Sequence, residues 1–215
     1  MMQPTPRSRA GSLPLIGGTL CLDFANTSSG RGTGQRLEHL RSYDLLLLWC
    51  AHAGLLSPAD RRRLSRLAAQ RPHAAARVLR RALALREAIH ATGAALADVA
   101  PPPGPALAVI NRELTAAMAR ARLRRADGGF AWDWAEAPPA LERILWPIAR
   151  SAADLLAAPA RGRIKQCAGP GCGWIFLDLT KNGNRRWCEM EVCGTRSKIR
   201  RYRERRRKKK VNRDS

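Results

Sequence analysis

The chain has 215 residues, with 39 lysines and arginines against 17 aspartates and glutamates, for a formal net charge of +22. That excess points to a polyanionic partner, nucleic acid or an acidic membrane surface, and 45% hydrophobic residues exclude a wholly disordered basic tail. Aromatic residues at 5% argue against a broad stacking platform for single strands, and no run approaches the roughly 20 apolar residues of a membrane span.

Residues 1–12 read as a disordered leader. Arg7 and Arg9 precede an apolar run, Leu13 to Phe24, but Gly17, Gly18 and Asp23 interrupt it, so it does not make a secretory signal. The chain is therefore expected to be cytoplasmic, where six cysteines are metal ligands or core residues rather than disulfides. Leu13 to Asn26 is read as a short strand or a buried lead-in, and Ser28 to Gly34 as a loop. Ser42 can cap a helix to Ala53 with Gly54 as its stop, and Ser57-Pro58-Ala59-Asp60 opens a second that ends near Arg71-Pro72. Residues 74–99 predict a longer helix, with Leu79, Leu83, Arg86 and His90 on one stripe beside Val78, Leu85 and Ile89; Pro101 to Pro105 stops it.

A further helix is expected from about Ala106 to Arg122. The period then changes to 2: Asp127-Gly128-Gly129 separates Arg120–Arg125 from Phe130-Ala131-Trp132-Asp133-Trp134, a hairpin with its three aromatics on one face. Pro138-Pro139 opens a last helix carrying Leu141, Ile144, Leu145, Ile148, Ala152 and Leu155, with a kink or boundary at Pro147. The four histidines, His39, His52, His73 and His90, pair with no nucleophile in the sequence, and no phosphate-loop or metalloprotease motif is present, so an enzyme is not expected. Cys21 and Cys50 sit among apolar residues and read as small core side chains.

The composition shifts near residue 160. From Arg161 to Ser215 there are 18 basic and 5 acidic residues, and four of the six cysteines. Cys167 and Cys172 are separated by four residues, as are Cys188 and Cys193, with fifteen between the pairs. Two such pairs can bring four thiolates to one Zn²⁺ at about 2.3 Å each, a closed and hence structural site. Gly169, Pro170 and Gly171 supply the first turn, and Trp174, Phe176 and Leu177 supply a small apolar body, too small to fold without the metal. Lys181, Arg185, Arg186 and Arg196 lie near enough in sequence to offset the thiolate charge, and Arg185 and Arg186 are also expected, with Arg196, Lys198, Arg200, Arg201, Arg203 and Arg207, to contact nucleic acid. Thr195 can then cap a basic helix in which Arg196, Arg200, Arg203 and Arg207 share one stripe and Lys198, Arg201 and Arg205 another, with Ile199 and Tyr202 packing back on the finger. The pattern fits a helix lying along duplex DNA, with arginines on phosphates and some on guanine edges; like charges three and four apart predict that it orders on binding. Residues 208–215 read as a basic disordered tail.

Arg185-Arg186-Trp187-Cys188-Glu189-Met190 and Cys193-Gly194-Thr195-Arg196, with the earlier Cys167, Cys172 and Phe176-Leu177-Asp178, resemble the CGNR zinc finger of a bacterial family described as stress-induced transcription regulators. Gly17-Gly18-Thr19-Leu20-Cys21-Leu22-Asp23-Phe24-Ala25-Asn26-Thr27 resembles the opening of that family's ABATE domain. The resemblance covers about residues 15–207 and implies zinc on Cys167, Cys172, Cys188 and Cys193 and a DNA-binding role. The family's name-giving Asn is Thr195 here, which bears on base reading if that Asn contacts a base. Asp23 and Asn26 fall in the amino-terminal motif, as effector contacts or as turn and capping groups.

The sequence thus predicts a mainly α protein with a small β-hairpin: a helical ABATE-like regulatory domain over residues 13–160, then a four-cysteine finger with its basic helix over 161–207. The expected partner is duplex DNA, with an unknown effector and a homodimer compatible with the pattern, and without a membrane. The alternative is an RNA-binding or ribosome-associated basic zinc protein. A thiol redox switch is a further rival.

Overall fold

A computed structural model describes residues 8–135 and 140–211, with side chains to residue 206. Pro138-Pro139 and the side chain of Arg207 lie outside the described residues. In chain order the elements are α1 (Leu20–Ala25), β1 (Ser28–Ser29), β2 (Leu37–Glu38), α2 (Tyr43–His52), α3 (Pro58–Gln70), α4 (Pro72–Ala97), α5 (Gly104–Met118), β3 (Ala121–Ala126), β4 (Gly129–Trp134), α6 (Trp146–Ala157), β5 (Ile164–Gln166), β6 (Ile175–Leu177) and α7 (Thr195–Val211). The fold is mainly helical, and the strands form three separate antiparallel pairs, β1–β2, β3–β4 and β5–β6, rather than one hairpin.

The helix starts follow the expected chemistry. The Ser42 hydroxyl accepts from the Leu45 amide, and the Ser57 hydroxyl accepts from the Asp60 amide. Pro147 marks a boundary: a 3-10 turn over Leu141–Leu145 precedes it, and α6 begins at Trp146 with the proline in its first turn, where its missing N–H costs nothing. Asp127 and Gly128 make the two-residue turn of the β3–β4 hairpin, with Gly128 at φ +79°. The register places Phe130, Trp132 and Trp134 on one face. Trp134 packs on Trp146 with ring centroids 5.9 Å apart, and the Arg150 guanidinium lies 4.0 Å from the Trp132 ring centroid, while Phe130 stays exposed.

Two expectations at the amino terminus are corrected. Leu13 to Asn26 forms neither strand nor uniform lead-in but ends in the short helix α1, whose Cys21, Leu22, Phe24 and Ala25 are buried. The leader is docked from Ser8 onward: the Ser8 hydroxyl donates to the His39 carbonyl at 2.7 Å, and Ala10 and Leu13 join the core.

α4 is the central element, flanked by α1, α5 and the β5–β6 pair. Its predicted stripe carries two polar residues for a reason. Arg86 is 2% exposed and forks onto both Glu38 carboxylate oxygens at 2.6 Å each, with its Nε on Glu87 at 2.8 Å. Glu87 also receives Arg31 and Arg36. Burial pushes the Glu87 carboxyl up, but the hydrogen bond and charge of Arg31, with Arg86 and Arg36, outweigh it and bring it down to about 2. This network pins the loop between β1 and β2 onto α4. Arg86→Met leaves Glu38 without its buried partner, and a loss of about 3 kcal/mol is expected, since breaking such a pair strands a charge. Urea unfolding of the zinc-loaded protein measures it; an unchanged midpoint would show the network to be dispensable.

Candidate metal centre and its docking to the helical domain

The finger starts from a strand and a turn. β5 runs directly into Cys167, and Cys172 is followed two residues later by Trp174 and then β6, so the strand pair brackets the first knuckle. Between the two cysteine pairs lies a short strand, β6, whose partner β5 precedes the first pair. The Cys172 amide closes the knuckle on the Gly169 carbonyl at 3.1 Å. A side chain at Gly169 would place its Cβ 2.8 Å from Cys193 Cβ, so only glycine lets the two knuckles meet. Gly171 and Gly173 hold φ of +70° on either side of Cys172.

The Sγ atoms of Cys167, Cys172, Cys188 and Cys193 all lie within 4.8 Å of one another. Cys172–Cys188 and Cys188–Cys193 are 3.7 and 3.6 Å apart, close to the roughly 3.8 Å edge of a tetrahedron with 2.3 Å zinc–sulfur bonds and far from a disulfide. All six cysteines are free thiols. The Gly169 and Cys188 amides donate to Cys167 Sγ at 3.3 and 3.2 Å, as thiolate ligation requires. Hydrogen bonds from the Cys172 and Cys188 thiols pull the Cys167 thiol down, while its own acceptance pushes Cys172 and Cys188 up and burial pushes Cys193 up. The four sulfurs cannot all ionise here without a dication, which makes the donor set fit one zinc ion. Cys21 and Cys50 are each 0% exposed and stay in the core, far from this chemistry.

A family comparison matches residues 18–159 to ABATE, "Putative stress-induced transcription regulator", and residues 163–206 to the CGNR zinc finger. The chain belongs to the ABATE family. Its four cysteines are the metal site of its CGNR zinc finger. A comparison with curated proteins finds no match. Among the described residues, no helix is long and apolar enough to cross a membrane.

The finger has no private core. Ile175, Phe176 and Leu177 are all buried, and they join the same hydrophobic cluster as α1, α4 and α6. Trp174, Phe176 and Leu177, expected to form the finger's own small body, are buried in that shared cluster instead. Gly93, in the last turns of α4, makes the room: a Cβ there would stand 2.7 Å from Ile175 Cδ1. An isolated glycine inside a helical pattern was the available signal for this close approach.

Asp23 and Asn26 are the fastening. Asn26, 1% exposed, donates its Nδ2 to the Ile175 carbonyl at 2.8 Å and accepts the Ile175 amide on Oδ1 at 3.0 Å. Its carboxamide thus pairs with β6 as a neighbouring strand would. Asp23 accepts the Gly17 amide at 2.7 Å, and the Gly17 carbonyl accepts the Leu177 amide at 2.7 Å. Gly17 has no space for a side chain, since a Cβ would lie 2.7 Å from the Asp23 amide nitrogen. Of the two roles read for these residues, the structure gives the structural one. Trp174 Nε1 donates to the Ser28 carbonyl at 3.0 Å, and His90 Nε2 donates to the Gly173 carbonyl at 2.7 Å. Burial, then the nearby Arg31 charge, push His90 down to about 4, so it is neutral near pH 7 and suited to that contact.

The predicted nucleic-acid residues separate into two groups. Arg185 is committed inside the finger: it donates to the carbonyls of Ile16, Trp187 and Cys188, and its guanidinium lies 4.1 Å from the Phe176 ring centroid. Asp178, which sequence reasoning used only for resemblance, holds it there. Its carboxylate accepts Lys165 and Thr180 and the Arg185 amide, and the Lys165 ammonium keeps it well below the usual carboxylate range. Arg186, Arg196, Lys198, Arg200, Arg201 and Arg203 are exposed.

Two details of the basic helix are corrected. Thr195 does not cap α7 but lies inside helical geometry, its hydroxyl on the Met190 carbonyl at 3.4 Å; a π-type turn over Met190–Gly194 carries the chain from the metal knuckle into the helix. Ile199 and Tyr202 are 46% and 61% exposed rather than packed on the finger; Trp187 makes the tie instead, donating to Ser197 Oγ at 3.2 Å. The helix extends to Val211, into the segment expected as tail.

Asn26→Ala strands both backbone groups of Ile175 in the core. A loss of about 2–4 kcal/mol is expected from two unmade buried hydrogen bonds. Denaturation of the zinc-loaded chain, with zinc content assayed alongside, checks it; a loss below about 0.5 kcal/mol would refute the fastening role.

Proposed function

We propose that the chain is a transcription regulator that binds duplex DNA through α7, with its finger held by zinc and by the ABATE helices. The observation that carries this reading is the arginine stripe at the start of α7. Arg196, Arg200 and Arg203 line a groove of about 600 Å³ with Pro170 of the metal knuckle. A phosphate backbone lying there would meet three guanidiniums on a helix fixed to the rest of the fold. Arg200 is also engaged by Glu204 at 3.1 Å, so that pair opens when Arg200 takes a phosphate. Lys198 and Arg201 extend the charge around the helix and are assigned further phosphate contacts. The absence of a nucleophile and base pairing in the sequence supports a binding protein rather than an enzyme, working in the cytoplasm. With the Asn26 side chain on the finger strand and the Asp23 carboxylate on the Gly17 amide, effector recognition is assigned elsewhere in the ABATE helices.

Fluorescence anisotropy with a random-sequence 20-base-pair duplex tests this on the zinc-loaded full chain. Arg200→Gln/Arg203→Gln is expected to weaken binding about tenfold and lower the slope of log affinity against log salt by about 2. An unchanged slope would remove α7 from the interface. A structured RNA hairpin that outcompetes the duplex would shift the reading to an RNA-binding protein.

A further inference from the structure

The arginines outside the finger are not evenly spread. Where α3 meets α4, a cleft of about 340 Å³ is lined by Arg71, Arg77, Arg81 and Arg120 around a floor that includes Val78 and Leu141. Arg81 is committed to Glu113, a carboxylate 1% exposed, at 2.8 Å. Among the described residues, the guanidiniums of Arg71, Arg77 and Arg120 have no ion-pair or hydrogen-bond partner. Among the described residues, Glu142 is the one carboxylate on the lining. The cleft therefore gathers more positive charge than it neutralises, beside apolar surface, in a volume typical of small-molecule sites.

Helix dipoles add little here: Arg71 is both the C-cap of α3 and the N-cap of α4, so the negative end of one helix offsets the positive end of the other, and the guanidiniums supply the charge. A guanidinium pairs bidentately with carboxylate and phosphate alike, but three of them around one cleft suit a group that presents several anionic oxygens at once, as a phosphate does.

We propose that this cleft binds a small phosphorylated molecule carrying at least two negative charges, with Arg71, Arg77 and Arg120 as its ligands and Val78 and Leu141 beneath its apolar part. DNA is not the occupant argued here. Gly93, where the finger packs, lies sixteen positions along α4 from Arg77, which is about 24 Å of helix. The site is thus apart from the α7 groove, and it stands or falls independently of the DNA-binding reading. Such a molecule would reach the finger through α4 itself, which carries Arg77 at one end and both Gly93 and His90 under the finger.

Isothermal titration of pyrophosphate into the zinc-loaded full chain, at 150 mM salt on the order of the physiological level, tests the proposal. Succinate serves as the carboxylate comparison. One saturable site for pyrophosphate is expected, weakened at least tenfold in Arg77→Gln/Arg120→Gln and unchanged within twofold in Arg200→Gln/Arg203→Gln. The substituted side chains are exposed, and unchanged circular dichroism confirms that the variants fold. Equal affinity in Arg77→Gln/Arg120→Gln, or loss in the α7 variant instead, overturns the site. Succinate binding as tightly as pyrophosphate overturns the phosphate assignment. Duplex DNA binding weakened tenfold in Arg77→Gln/Arg120→Gln would make the cleft a DNA contact and overturn the small-molecule occupant, whereas failure of the DNA reading alone leaves pyrophosphate binding intact.

Discussion

A strand of three residues paired on one side has an open edge, and buried N–H and C=O groups on that edge must find partners. In this molecule β5 takes one edge of β6, and the other edge is closed by the carboxamide of Asn26 at Ile175 and the carbonyl of Gly17 at Leu177. Both come from the amino-terminal motif that opens the ABATE domain. The finger's only apolar strand is thereby built into the helical core, and a cysteine knuckle hangs from each end of it. Asp23 and Asn26 read in sequence as effector contacts or as turn and capping groups; Asn26 holds a strand 149 residues away, and Asp23 holds the Gly17 backbone that pairs with the same strand.

That arrangement changes the energetics expected of a zinc module. A finger of this size alone gains most of its stability from metal binding. Here Ile175, Phe176 and Leu177 bury themselves against α1 and α4, so apolar burial and zinc both act on the same segment. Metal binding therefore reports on the whole fold, and the whole fold sets the geometry of the four sulfurs. The route from α4 to α7 is short: Gly93 and His90 touch the finger strand and the knuckle, and Trp187 and the Met190–Gly194 turn carry the knuckle into the basic helix.

Local chemistry made much of this legible. Cysteine spacing located the metal site, serine and proline placed the helix starts, and Asp127-Gly128 placed the hairpin turn, because each depends on residues a few positions apart. Arg86 and His90 on an otherwise apolar stripe were a sign of buried partners, though not of which partners. What escaped were contacts between segments far apart in the chain. Arg185 reads as one basic residue among many until the Ile16 carbonyl and the Phe176 ring are beside it. Thr195 reads as a cap because Thr commonly caps; the π-type turn before it removes the need. Ile199 and Tyr202 have the spacing to reach the finger, but Trp187 and Ser197 set the helix direction and leave both exposed. The leader from Ser8 has a loop's composition, and the His39 contacts and the burial of Ala10 dock it.

A strand shared in this way makes the finger and the ABATE helices one cooperative unit. Native-state hydrogen exchange on the zinc-loaded chain tests this at the amides of Ile175 and Leu177 against those of α4. These finger amides are expected to open only with the same free energy and denaturant dependence as the α4 core, since their partners are Asn26, at the end of α1, and Gly17 before it. Exchange through a separate opening, well below the global value, would show a finger that unfolds on its own and would contradict it.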